Sequence, residues 1–525
     1  MRDTLTGLLA ELVERRGDRP ALLDPATGRV TTFAALDELA RRAATGLSAL
    51  GVGRGDRVAV WLPNLPEWLA VQFAVARLGA VVVAVNTRFR AQELADILRV
   101  SGASVLVLTA GYRRIDFAGI LAEARAKAGL ATDLVPVAVG HGDAPDGALS
   151  WNELIDHPPR LTDDARPEDA AAVFATSGST GVPKLAVHRQ VAIVTHARND
   201  VVAFDMAPGE VSLCALPLCG VFGFNAALSA LASGATTLLP AAFDAAESAE
   251  AIARHGVTHF HAADNMLRDV LAVARDRGLD LSTWREGAFA AFSGGGAALV
   301  REVEDTAGAR ITGVYGASEL FALVARWPRD WDAEARSPGG GFPVGDIEVR
   351  ATDPGTGAVR PHGEPGELQF RGYNVAAGYL GNPEASAAAF LADGWYRSGD
   401  LGHTRDDGAF VYLSRMKDSL RLRGFLTDPG EIEQHLQRHP DVSLAQVVGV
   451  PAPDGGDAAV AFVQLRPHAT AGPDDLVEHC RRDLAGYKVP SALHLVTDWP
   501  TVEGANGRKI QRFRLRDRAL QLGAR

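Results

Sequence analysis

The segments ELARRAATGLSALGV (38–52), RVAVWL (57–62), WLAVQFAVARLGA (68–80), VVVAV (81–85), LADILRVSGA (94–103) and SVLVLT (104–109) follow one another with barely a gap. Three times a helix-like apolar pattern ends in a short aliphatic run, an alternation that argues for parallel strands joined by crossover helices. A second cycle runs VSLCALPL (211–218), an alanine-rich helix, ATTLLP (235–240), a helix through Ala253, and VTHFHAA (257–263). With the cycles beginning at about Leu22, two related α/β layers are expected. Beyond Gly341 the texture changes: GDIEVRATDPGTG (345–357), GELQFRGY (366–373) and GAFVYL (408–413) alternate residue by residue between Gly and Pro turns, which predicts antiparallel strands. A compact tail follows, with EIEQHLQRH (431–439) and DDLVEHCRRDL (474–484) as helices and AQVVGVPA (445–452) and AVAFVQLRP (459–467) as strands. The expected class is α/β: residues 1–416 form a large N-terminal domain of two related α/β subdomains plus a β-rich lobe, and 417–525 a small, mobile α+β C-terminal lid domain.

Composition excludes several kinds of protein. Of 525 residues 47% are hydrophobic and 22% charged, a globular balance rather than a disordered one. A net charge of -11 without any basic block leaves no footprint for nucleic acid. The three cysteines, Cys214, Cys219 and Cys480, are too few and scattered for a disulfide framework or a zinc site, so a reduced cytoplasm fits. MRDTLTGLLAELVERRGDRP (1–20) places charges where an export signal needs an apolar run, and the most apolar later stretch, 68–85, is interrupted by Gln72, Arg77 and Gly79. No membrane span is expected. Five lysines stand against 48 arginines, and Lys184, Lys417, Lys488 and Lys509 all fall in or near the motifs below. A compact ammonium is not interchangeable with a planar guanidinium.

The strongest chemical signal is TSGSTGVPK (176–184), directly after AAAVFA (170–175). Thr176, Ser177, Gly178, Ser179, Thr180 and Gly181 make a flexible loop whose N–H groups and hydroxyls can wrap polyphosphate oxygens, and Lys184 adds a positive charge. It is not a Walker loop, because Pro183 stands before the lysine. Around it, in order, come LPNLPEW (62–68), VNTRFRAQEL (85–94), LPLCGVFG (216–223), SGGGAAL (293–299), VYGASE (314–319), YRSGDLG (396–402), SRMKDSLRLRG (414–424), DPGEIE (428–433) and NGRKIQR (506–512). This ordered series, covering almost the whole chain, resembles the adenylate-forming superfamily of acyl-CoA synthetases, firefly luciferases and peptide-synthetase adenylation domains. The match is to its acyl-CoA synthetase, or AMP-dependent synthetase and ligase, family.

The resemblance implies ATP-dependent activation of a carboxylic acid to acyl-AMP, with Mg²⁺, followed by thioester formation with coenzyme A. Such chemistry must align two anions and neutralise developing charge. Thr180 and Glu319 are then the Mg²⁺ residues, and both join Lys509 as catalytic candidates, since a hard cation wants oxygen ligands. Gly294, Gly295 and Gly296 let the backbone approach the purine, with Ala297 next to them in the nucleotide site, Tyr315 and Gly316 flank adenine, and Ser318 meets a phosphate. Asp400 is placed on the ribose hydroxyls, a task for a carboxylate with two acceptor oxygens, and Arg415 on ribose or phosphate. Ser414 stands where a glycine is usual. Lys509 is the lysine carried by the small domain, with Arg508 as rival because it separates Gly507 from Lys509. Lys417, beside Asp418, holds the hinge position, about which the small domain would rotate between half-reactions.

Departures concern the acyl and thiol ends. Gly220 replaces a histidine usual in the acyl channel, Arg423 and Gly424 sit in an altered thiol-side loop, and Leu185 replaces a glycine. The acyl pocket is assigned to Cys219, Gly220, Val221, Phe222, Asp264 and Ala317, with Asp264 favoured as a turn cap. A missing imidazole enlarges the pocket, so a bulky apolar acid, fatty or natural-product, is expected. Two other readings stand beside the ligase: an adenylation-specialised enzyme that hands acyl-AMP to an acyl carrier or partner protein, and a non-catalytic nucleotide-binding homologue. A homodimer is an open expectation.

Overall fold

The computed structural model describes residues 3–129, 134–140, 142–176, 183–291, 296–416, 420–422, 425–452, 457–484, 486–504 and 507–523, with the backbone alone at 421, 425, 426, 483, 503, 504 and 507–509. Among the described residues the first sheet orders its strands Leu149–Ser150, Val135–Val139, Val105–Thr109, Arg57–Trp61, Val81–Ala84, Ala170–Thr176 and Lys184–Arg189. Every neighbouring pair is parallel except the last, an antiparallel pair in which Thr176 faces Lys184. The hydroxyl-rich loop therefore connects the two strands of a hairpin.

The second sheet runs Ala262–Ala263, Glu286–Ala290, His259–Phe260, Val211–Leu213, Thr236–Leu238, Pro20–Leu23 and Val30–Thr32, with Arg310–Gly313 also on Glu286–Ala290. Pro20–Leu23 enters it parallel to Thr236–Leu238, more than two hundred residues away. The alternation begins at about Leu22, yet that first strand belongs to the second layer. Local periodicity identifies a strand but not the sheet edge it joins.

The two layers share one core. Helix Pro66–Arg77 is buried at every residue, as a helix apolar all round should be. Its polar members find partners: Gln72 Nε2 donates to Ala171 O at 3.1 Å, and Arg77 bonds Asp37 at 3.0 Å. Trp68 meets Phe224 at 5.2 Å and Phe224 meets Phe174 at 5.6 Å, so aromatic rings from both layers interlock. Among the described residues no helix is long and apolar enough to cross a membrane.

Antiparallel strands Ala325–Arg326, Gly340–Pro343, Phe410–Arg415, Tyr396–Thr404, Gly366–Arg371 and Glu348–Thr352 form the β-rich lobe, as their alternation predicts. In the tail, Val442–Pro451 and Asp457–Leu465 pair antiparallel beneath helices Pro429–Gln437 and Pro473–Asp483. Helix Arg512–Leu522 escaped the sequence reading because only Leu515 and Ala519 of its residues are buried, too sparse an apolar stripe to register.

Candidate active site

Four of the motif segments leave the carboxyl ends of parallel strands in the second sheet. Val211–Leu213 leads to Cys219, Gly220 and helix Val221–Ser233, Ala262–Ala263 to helix Asp264–Arg277, Glu286–Ala290 to helix Gly296–Ala307, and Arg310–Gly313 to Tyr315. Open α/β sheets bind ligands at that edge.

After Tyr315 the chain is unusually contorted. Phe321, Ala322 and Leu323 have φ of 62°, 58° and 40°, left-handed values that cost non-glycine residues about 1–3 kcal/mol each. Gly316 makes the fold-back possible: a Cβ there would lie 2.6 Å from Ala322 Cα. Two buried histidines brace the turn, His188 donating from Nε2 to Ser318 O at 2.7 Å and His196 from Nε2 to Ala322 O at 2.9 Å. Burial lowers both imidazoles to about 4, with the backbone hydrogen bonds opposing, so both are neutral at pH 7. Phe321 fills a ring-lined socket of Phe174, His188, His196 and Phe224. Sequence reasoning missed both histidines; the available signal was His188 sharing a strand face with Lys184 at a spacing of four.

This bracing presents Glu319. Its Oε1 accepts from Tyr379 Oη at 2.8 Å, and Lys184 Nζ lies over the same tyrosine ring, 5.1 Å from its centroid. Glu319 is buried, with Oε1 the atom that Tyr379 engages. A carboxylate oxygen so placed fits a hard cation.

On the β-rich lobe Asp400 and Arg415 face each other in register on adjacent strands. Asp400 Oδ2 accepts from Tyr315 Oη at 2.5 Å, and Oδ1 lies 3.1 Å from an Arg415 nitrogen. Tyr315 stacks on Phe370, ring centroids 5.1 Å apart, and burial, then Asp400, push its phenol far upward. Contacts thus join Thr176, Lys184 and Glu319 in one group and Tyr315, Asp400 and Arg415 in another, with Gly316, Ala317 and Ser318 on the segment between Tyr315 and Glu319, while Gly296 and Ala297 open the helix after Glu286–Ala290. Ser177, Gly178, Ser179, Thr180, Gly181, Gly294, Gly295, Lys417, Arg423 and Gly424 lie outside the described residues.

On the acyl side, Gly220 is the N-cap of helix Val221–Ser233, without a side-chain cap, and Val221 and Phe222 are buried. Cys219 is half-buried; burial raises its thiol to about 12, outweighing the Thr87 backbone and Arg88, so it is no thiolate nucleophile. Asp264 is fully buried as the first residue of its helix, where Ala263 is the N-cap; it accepts from Asn265 N at 2.9 Å, so the turn-cap expectation gives way to a first-turn residue.

The small domain meets the large one at two places. Hairpin strand Gly507–Ile510, which carries Lys509, packs on helix Asp264–Arg277. Asp428, N-cap of helix Pro429–Gln437, accepts from Gly430 N at 2.9 Å and from Ser414 across the junction. Burial raises Asp428 to about 7, Glu433 adding to that, while Gly430, Arg512 and Ser414 oppose it. Lys488 pairs with Glu431 at 2.6 Å, which accounts for that lysine structurally.

Residues 9–380 match the AMP-binding enzyme family and residues 431–504 the AMP-binding enzyme C-terminal domain. A feruloyl-CoA synthase of an Amycolatopsis species is 35% identical, the match covering 90% of this chain and 91% of the relative. A (methyl-dioxo-octahydroindenyl)propanoyl:CoA ligase of Mycobacterium tuberculosis is 32% identical over 95% of this chain and 96% of the relative. Among solved structures, the anthranilate CoA ligase AuaEII in complex with anthranoyl-AMP superposes with a TM-score of 0.85 at 27% identity, covering 98% of this chain and 97% of the other.

Proposed function

This chain belongs to the AMP-binding enzyme family and is an AMP-forming acid–thiol ligase, and we propose how its residues divide that work. ATP and a carboxylic acid meet at the strand ends described above; carboxylate attack on the α-phosphorus forms acyl-AMP and expels pyrophosphate, and the thiol of coenzyme A then displaces AMP. The observation that carries this reading is the contact chain from Lys184 through Tyr379 to Glu319, set beside the Tyr315–Asp400–Arg415 cluster. It offers a cation for phosphate, an oxygen for metal and a carboxylate for ribose within one cleft.

Lys184 neutralises phosphate oxygens from the hairpin, with Ser177 to Gly181 supplying N–H groups and hydroxyls. Glu319 and Thr180 hold Mg²⁺, which when bound offsets the charge of the triphosphate. Asp400 takes the ribose hydroxyls on its remaining lone pairs while Arg415 fixes its orientation. Lys509 approaches the α-phosphate and carboxylate from the docked hairpin, and rotation about Lys417, where we place the boundary between 1–416 and 417–525, removes it for the thiol step through Arg423 and Gly424. The open helix cap at Gly220 supports a bulky apolar acid, aromatic or polycyclic.

The test is acid-dependent exchange of labelled pyrophosphate into ATP across a panel of aliphatic, aromatic and polycyclic acids, followed by AMP release with and without coenzyme A. Exchange with at least one acid and faster AMP release with coenzyme A are expected. Exchange with AMP release indifferent to coenzyme A would instead assign the acyl group to a carrier or partner protein, and no exchange with any acid would overturn the catalytic reading.

A further inference from the structure

Tyr379 belongs to none of the motifs singled out in the sequence, yet it stands where three parts of the fold meet. The segment 376–380 runs beside strand Lys184–Arg189: Leu380 N donates to Leu185 O at 2.8 Å, Ala377 N to Val187 O at 2.8 Å, and Val187 N to Gly378 O at 3.0 Å. One residue earlier, Ala376 N donates to Glu319 O at 2.8 Å. The backbone thus ties the β-rich lobe to both the phosphate hairpin and the Glu319 turn. Tyr379 itself is buried, its ring against Phe390 at 5.3 Å and its hydroxyl also within a hydrogen bond of Tyr396.

What the side chain does follows from the charges beside it. An ammonium and a carboxylate near one another in a partly buried cleft attract strongly, and a direct ion pair would quench the cation meant for phosphate and the oxygen meant for metal. Among the described residues Lys184 and Glu319 form no such pair. The aromatic face holds Lys184 Nζ, and the hydroxyl at the ring's far end holds Glu319 Oε1.

We propose that Tyr379 is a positioning residue that keeps Lys184 and Glu319 apart and oriented, so that the site can take a triphosphate and its divalent cation together. The proposal rests on the reading of Glu319 as the cation carboxylate. Substitution separates the two ends of the side chain: Tyr379→Phe keeps the ring under Lys184 and releases Glu319, whereas Tyr379→Leu loses both.

The experiment is equilibrium binding of ATP by titration calorimetry, with EDTA and over a Mg²⁺ series, on the full chain. For Tyr379→Phe the Mg²⁺ concentration giving half of the affinity gain should rise about tenfold, the worth of one hydrogen bond to a charged group, with metal-free ATP affinity within about twofold of the parent. Tyr379→Leu should also weaken metal-free binding, by about three- to tenfold, as the cation–π contact is lost. In a Glu319→Gln background Tyr379→Phe should leave the Mg²⁺ dependence unchanged. If Glu319→Gln shifts the Mg²⁺ dependence but Tyr379→Phe does not, or if Tyr379→Phe still shifts it in the Gln background, the role of Tyr379 is overturned. If the parent shows no Mg²⁺ effect, or Glu319→Gln leaves it intact, the assignment of Glu319 fails first and the proposal falls with it. Equal losses in both tyrosine variants accompanied by a lowered unfolding midpoint would reduce Tyr379 to a packing residue and overturn the proposal too.

Discussion

Glu319 and Asp400 are buried acids of the large domain and Asp428 is a half-buried acid of the small one, and they are built into their surroundings differently. Each of the first two accepts from a tyrosine hydroxyl, Tyr379 or Tyr315, and sits beside a cation held by the large domain. Asp428 instead caps a helix of the small domain and reaches across the junction to Ser414, and burial raises it to about 7. On the proposed function, the nucleotide side is a floor fixed within the large domain, whereas the junction is an adjustable contact whose charge changes near neutral pH. A two-step enzyme needs both: one fixed electrostatic frame and one interface that can let go.

The largest effect expected tests whether the lid supplies chemistry to the floor. Lys509→Ala should slow pyrophosphate exchange about a hundredfold or more, while conversion of supplied acyl-adenylate to thioester stays within about threefold of the parent. Full exchange in that variant would move the role to Arg508. Next, Asp400→Asn should weaken ATP binding about ten- to a hundredfold by calorimetry, because Tyr315 and Arg415 are left facing a neutral amide. Unchanged affinity would remove Asp400 from the floor.

Gly220→His restores bulk at the bare helix cap and should shift the ratio of kcat/KM for a small over a polycyclic acid about tenfold toward the small one. An unaltered ratio would detach Gly220 from acid selection.

The smallest expected effect concerns the junction itself. Because burial raises Asp428, its stabilising contribution is fully present below the ordinary aspartate range and is lost as pH rises through about 7. Asparagine still caps the helix and carries no charge. The unfolding free energy of Asp428→Asn should therefore gain on the parent by about 1 kcal/mol between pH 6 and pH 8. A difference independent of pH would show that Asp428 titrates elsewhere, and the contrast with the floor would lose its basis.

Much of this architecture is visible in the chain alone. Alternating helix and strand patterns announce the two layers, and the antiparallel lobe follows from its Gly and Pro turns. Thr176, Lys184, Glu319, Asp400 and Arg415 stand out because charged or hydroxyl residues among glycines are conspicuous in a sequence. His188, His196 and Tyr379 do not stand out: a buried histidine or tyrosine in an apolar segment looks like any other core residue.

The amino-acid order by itself settled the α/β cycles, the hydroxyl-rich loop and the acids and lysines available for phosphate chemistry, since periodicity and motif depend on neighbours a few positions apart. Packing alone decided that Pro20–Leu23 would join the second sheet, that Tyr379 would reach Glu319 across 60 residues, and that His188 would brace Ser318 across 130. Those contacts arise where folded layers press together, and their burial, not their local sequence, is what makes each hydrogen bond costly to lose.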